Sequence, residues 1–122
     1  MIKTTSLDLS KQLKEVGYPQ ETEFFWSPIP EIVTIDKKQI FKTKGYDIQH
    51  KDHRRAYGKK VAIAAPTAEE ILEMLPVATL STKLPSGEYA VAYKKHGGGR
   101  TGKTLAEAAG KMFLFLKKEG LI

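Results

Sequence analysis

The chain has no cysteine in its 122 residues, which excludes disulfides, thiolate zinc sites, Fe–S clusters and thiol nucleophiles together. It also lacks long apolar runs: nothing approaches the roughly 18 consecutive residues that a membrane-spanning helix requires. The opening Met1-Ile2-Lys3-Thr4-Thr5-Ser6 carries a charge but not the apolar stretch of a secretion signal. The three histidines, His50, His53 and His96, lie among polar residues, and no serine occupies a G-x-S-x-G elbow, so a nucleophilic triad is not evident. These absences predict a cytoplasmic, membrane-free protein that is not an enzyme, needs no cofactor or metal, and is stabilised by packing alone.

The residues that are present describe a globular chain. Apolar residues make up 41% and aromatics 9%, enough to build a core and too much for wholesale disorder. The length fits one domain over residues 1–122. The net charge is +6 and is unevenly distributed: residues 36–60 hold nine Lys/Arg against three Asp, and residues 94–118 hold seven Lys/Arg against Glu107. Segregation of this kind steers a polyanion or an acidic protein surface toward the basic segments, although solvated lysine-rich faces also serve solubility.

Hydrophobic spacing and capping signals place the elements. Leu7, Leu9, Leu13 and Val16 recur at helical spacing between Ser6, a possible N-cap, and Gly17, predicting a helix over 7–16. Glu23-Phe24-Phe25-Trp26 reads as a short core strand bounded by Pro19, Pro28 and Pro30, with base stacking as the functional alternative for its aromatics. Glu31-Ile32-Val33-Thr34-Ile35 is a second strand, answered by Gln39-Ile40-Phe41 as a hairpin. Apolar residues then thin out, and residues 43–60 read as a long, mobile basic loop. Val61 to Ala65 is a short strand, and Thr67 and Glu70 have capping-box spacing at the head of a helix that Pro76 stops. Thr79–Leu84 and Glu88–Tyr93 form a hairpin around Pro85-Ser86-Gly87. Thr104 and Glu107 repeat the capping-box spacing before a last helix over 105–118. The order α-β-(β-β)-β-α-β-β-α predicts an α+β sandwich, with about three helices on a mainly antiparallel sheet.

Two motifs bear on function. Gly97-Gly98-Gly99-Arg100-Thr101-Gly102-Lys103-Thr104 matches the phosphate-loop pattern G-x-x-x-x-G-K-[ST], in which backbone N–H groups wrap phosphates at a helix N-terminus. Nucleotide hydrolysis needs an acidic metal-holding residue on another strand, and the 18 residues after Thr104 supply only Glu107 and Glu119 on the same helix. Binding of a small nucleotide without hydrolysis stays open. His50 and His53 stand at H-x-x-H spacing near Asp47 and Asp52, one residue short of the helical zinc pair, and read as polar loop residues.

A hairpin, a basic glycine-rich stretch with Gly97, Gly99, Arg100, Thr101 and Lys103, and an alanine-rich helix together resemble the end of double-stranded-RNA-binding domains, which contact phosphates there. Gly102 stands where that family prefers Lys, and only two strands are predicted before the helix instead of three. Three further blocks resemble small uncharacterised proteins of tailed phages and prophages: Ser6–Gly17 with Gln20–Trp26, Ala65–Pro76, and Ala106–Leu116 through Ile122. That resemblance implies a compact α/β fold and a mobile-element origin, and brings no catalytic residues.

The combined expectation is a non-enzymatic phage accessory protein that binds nucleic acid or an acidic host protein through basic loops. Lys94, Lys95, Arg100, Lys103, Arg54, Arg55, Lys59 and Lys60 are the candidate contacts. A small-nucleotide binder and a homo-oligomeric interaction domain are the alternatives.

Overall fold

In a computed structural model of the chain, residues 3–76, 79–93 and 99–122 are described. The elements are α1 (Leu7–Glu15), β1 (Phe24–Ile35), β2 (Lys38–His50), β3 (Ile63–Ala64), α2 (Ala68–Met74), β4 (Thr79–Lys83), β5 (Tyr89–Tyr93), β6 (Gly99–Gly102) and α3 (Leu105–Lys118), with 3-10 turns at Lys51–His53 and Lys59–Val61. The strands form two antiparallel three-stranded sheets, ordered β2-β1-β3 and β4-β5-β6. The class is α+β as expected, but the strands divide between two sheets instead of sharing one.

The main core lies where α3 packs on α1, α2 and the second sheet. Leu13 of α1, Ile71 of α2, Val91 of β5 and Met112 and Leu116 of α3 are fully buried. Burial of each such side chain is worth about 1.5–3 kcal/mol, and together they hold three elements on one helix. Three small buried residues, Ala108, Ala109 and Gly110, let neighbouring elements approach α3 closely.

The helix ends follow the capping chemistry, with one reassignment. Thr67 and Glu70 form the full capping box: the Glu70 N–H donates to Thr67 Oγ1 at 3.3 Å and the Thr67 N–H donates to Glu70 Oε1 at 2.9 Å. At α3 only half of the expected box exists. The Glu107 N–H donates to Thr104 Oγ1 at 3.1 Å, but the Glu107 carboxylate accepts from the Ser6 N–H, at the head of α1, at 2.5 Å. One acid thus joins the N-termini of two helices, where negative charge complements both dipoles.

The end of α1 drives an aromatic ring into the core. The Tyr18 N–H donates to Leu13 O at 2.9 Å and the Gly17 N–H to Lys14 O at 3.1 Å, a Schellman motif with Gly17 at φ 92°. Tyr18 lands buried, edge-on to Phe113 at 4.9 Å. Burial foremost, with the negative charge of Glu70 second, pushes its phenol well above the ordinary tyrosine value of about 10. A raised folded-state value means that this contribution to stability is complete below about pH 10 and declines as pH rises beyond it. Tyr18→Phe is therefore expected to flatten the alkaline fall in stability, read from denaturant midpoints on either side of pH 10.

Of the aromatic run only Phe25 is core, and Phe24 and Trp26 are half-buried. Phe25 is buried with Ala62 and Ala64, and the Trp26 indole N–H donates to Thr5 O at 3.0 Å. Pro28 and Pro30 do not bound this strand; β1 continues through both to Ile35. Phe24 O accepts from the Ala65 N–H on the β3 side, so residues 24, 26, 28 and 30 direct their backbone groups to that side. Neither proline sits where β2 needs a donor, which is why the ladder tolerates both.

Candidate nucleic-acid interface

The most exposed element is the distal half of the β1–β2 hairpin. Its turn is Asp36-Lys37, both in left-handed geometry with φ 50° and 63°, between the paired Ile35 and Lys38. Positive φ at both central residues is the type I′ signature, whose twist matches the flanking strands. Residues 43–50, expected to lie in a mobile loop, are the second half of β2. Residues 45–50 are half-buried at every position but Ile48, so no alternation of buried and exposed positions marks them as a strand, and every residue from Glu31 to Lys44 except Val33 is exposed. At about 3.3 Å per residue, the segment from Pro30 to Ile35 extends roughly 20 Å.

Register assigns the side chains to faces. Ile32 pairs with Phe41 and Thr34 with Gln39 on one face; Val33 pairs with Ile40, Ile35 with Lys38 and Glu31 with Lys42 on the other. Thr43 pairs with Pro30 and Gly45 with Ile29, which leaves Lys44 as the extra residue of a bulge. The first face is uncharged, and it carries the two most exposed large apolar residues, Phe41 at 64% and Ile32 at 61%. Tyr57 rests against its base, with its ring 5.9 Å from that of Phe41 and its hydroxyl 3.0 Å from Thr43 Oγ1.

Lys37, Lys38, Lys42 and Lys44 surround this arm and are all exposed. Among the described residues Arg55–Asp47 is an ion pair and His50 Nδ1 lies 3.5 Å from an Asp52 carboxylate oxygen, and none of the four lysines has a carboxylate within 4.0 Å. These four lysines are not among the contacts expected from the sequence. Two usable signals were present: a two-residue Asp-Lys turn between β-forming runs, and β-formers Thr43, Tyr46 and Ile48 within the presumed loop.

The expected contact residues divide into groups. Arg54 stacks its guanidinium 3.9 Å from the centre of the Phe25 ring, and its Nε is buried without a hydrogen-bond partner. With Lys60, which is exposed, it borders a shallow cleft of about 500 Å³. Lys59 opens the second 3-10 turn beside it. Arg55 is committed structurally: Nη1 and Nη2 each donate to Asp47 at 2.9 Å, and Nη1 also donates to Pro28 O at 3.0 Å. Arg100 stands on β6 with its guanidinium 4.1 Å from the centre of the Phe115 ring, and borders a separate cleft with Lys111 and Lys118. Lys103 is exposed between β6 and α3. Lys94 and Lys95, like Gly97 and Gly98, lie outside the described residues.

The Arg55 fork holds the Asp47 carboxyl below the usual carboxylate range, chiefly through its hydrogen bonds. A lowered folded-state value supplies stability above about pH 4 that is lost as pH falls through the folded-state value. Asp47→Asn is expected to remove that acid-side component, seen as a smaller loss of midpoint between neutral and acidic solution. Charge reversal at Arg55 would place two carboxylates together, so it tests stability and not binding.

The phosphate-loop match takes a different form. Gly99–Gly102 is a third strand that was not anticipated, pairing with Tyr89–Ala92 of β5. An extended strand spreads its N–H groups to alternate sides and does not converge them on one anion. Gly102 serves packing instead: a Cβ there would stand 2.7 Å from Glu107 Cβ and 2.8 Å from the Ala108 nitrogen. His50 and His53 bracket the first 3-10 turn with rings 6.0 Å apart, and His50 Nδ1 accepts from the Asp52 N–H at 3.1 Å. No group of three or more metal-ligating side chains gathers among the described residues. No helix among them is long and apolar enough to cross a membrane.

Compared with protein-family models, curated proteins and solved structures, the chain matched nothing in any of the three.

Proposed function

We propose that this is a non-enzymatic nucleic-acid-binding protein, an accessory factor of phage or prophage origin, that contacts its partner through the β1–β2 arm. The carrying observation is the arm itself: a projecting ribbon with four exposed lysines outside any ion pair and an exposed apolar pair between its strands. Four lysines against Glu31 and Asp36 leave the projection with a surplus of positive charge, which favours approach to phosphates and releases counterions on contact. The expected basic segment supports the arm, with Arg54 and Lys60 near its base and Arg55 bracing β1 against β2. The blocks that resemble phage proteins supply helix caps and core, and residues 31–60 lie outside them.

An acidic protein is the competing partner, and the β1 edge of the arm favours nucleic acid. The edge of β1 in the arm lacks a donor at the half-buried Pro30, which obstructs addition of a protein strand there. A direct test is fluorescence anisotropy at low salt with a labelled DNA duplex, an RNA duplex and single strands, against polyglutamate as the acidic-protein surrogate. Micromolar or tighter binding to nucleic acid, well above that to polyglutamate, is the expected result. Binding to polyglutamate alone would refute the reading.

A further inference from the structure

The arm's width and its division into faces narrow the partner further, an inference that rests on the nucleic-acid reading above. We infer that the β1–β2 arm enters the major groove of B-form double-stranded DNA, with its uncharged face toward the base edges and its lysines at the flanking phosphates.

Width is the first argument. Two paired strands lie about 4.8 Å apart, and with side chains such a ribbon fits the B-form major groove, which is about 12 Å wide. The major groove of A-form RNA is too narrow for side chains to read. Single strands are gripped by successive stacking aromatics in a groove, whereas the distal arm offers Phe41 alone.

Face chemistry is the second. Ile32, Thr34, Gln39, Phe41 and Thr43 share the uncharged face. A glutamine amide matches the donor and acceptor of adenine, and apolar groups contact the thymine methyl. Exposed Ile32 and Phe41, opposite one another, leave apolar surface in water that a methyl-lined groove would cover. Lys38 and Lys42 on the other face, Lys37 at the tip and Lys44 at the bulge have long flexible stems suited to the phosphates on either side. A second copy added along the β2 edge would instead bring two sets of these lysines together, so charge opposes self-pairing.

The turn is the third. Lys37 occupies a left-handed position that glycine holds without strain, and Asp-Gly is a favoured type I′ pair. A cation is kept at the point of the arm that reaches furthest, at the expense of local stability. Strain retained at an exposed tip marks a contact residue.

The test uses the full chain and one sequence made as duplex DNA and as duplex RNA. DNA is expected to bind at least roughly ten-fold more tightly than RNA. Methyl green, which occupies the major groove, is expected to displace the protein, and netropsin, which occupies the minor groove, is not. Lys37→Gly is expected to raise the melting temperature while weakening DNA binding several-fold. Displacement by netropsin, or equal affinity for duplex RNA, overturns the groove assignment and leaves the nucleic-acid reading standing. Failure to bind any nucleic acid overturns both. A Lys37→Gly protein that is more stable and binds as well as the parent overturns the role of the tip.

Discussion

Gly102→Val is expected to destabilise the protein by about 3 kcal/mol or more, the upper end of what overpacking costs. The cause is a side-chain carbon set against fixed backbone. A Cβ at residue 102 falls 2.8 Å from the Ala108 nitrogen and 3.1 Å from the Glu107 carbonyl carbon, and neither atom can rotate away as a flexible side chain would. Relief requires β6 to lift from the first turn of α3, which disturbs the Thr104 cap and the Glu107 bond to Ser6 together. Thr101→Val, at the exposed neighbouring position, serves as the control and is expected to change stability little. Equal denaturant midpoints for the two variants would mean that β6 is not seated on α3. The outcome also bears on the phosphate-loop motif, because a glycine kept for anion binding would tolerate substitution in the absence of ligand.

Reversing charge along the arm is expected to have the largest effect on binding. The triple variant Lys37→Glu, Lys38→Glu, Lys42→Glu should lose roughly 100-fold or more in affinity for a DNA duplex at low salt, because it both removes three phosphate partners and repels the backbone. Its melting temperature should fall only slightly, since all three side chains are exposed and outside ion pairs and the one added cost is Lys42→Glu opposite Glu31. Lys14→Glu on α1, outside the two basic segments, should weaken binding far less. A triple variant that folds normally and binds like the parent would remove the arm from the interface.

The parts of the fold legible in the sequence are those whose signal is local. The helix over 105–118 was readable from its cap and apolar face, and the 79–84/88–93 hairpin from its turn residues. Three features were hidden for physical reasons. Proline normally ends a strand, and only the one-sided facing of residues 28 and 30 lets β1 run through both. The base-side half of β2, residues 45–50, is half-buried at every position but Ile48, so no alternation of buried and exposed residues announces it. Gly99–Gly102 has too few β-forming side chains to read as a strand, and is held there by pairing with β5 and by packing under α3.

The site was legible as charge and not as shape. The surplus in residues 36–60 was countable, but not its division between Lys37, Lys38, Lys42 and Lys44 on the hairpin and Arg54, Arg55 and Lys60 beyond it. Arg55 illustrates the limit. In sequence it is one more cation beside Arg54, whereas its fork to Asp47, eight residues earlier, depends on β2 curving back beside the 3-10 turn. Likewise Glu107 predicted a bond to its own helix cap, and α1, a hundred residues away in sequence, supplied a better-placed N–H.

The most direct test of the central claim is the salt dependence of duplex DNA binding, measured for the parent and for the triple arm variant across the same salt range. Each phosphate contact contributes about 0.9 to the slope of log affinity against log salt, so the parent should fall steeply and the variant should be shallower by about 3. Parallel slopes for the two proteins, or a parent whose binding is indifferent to salt, would contradict the account.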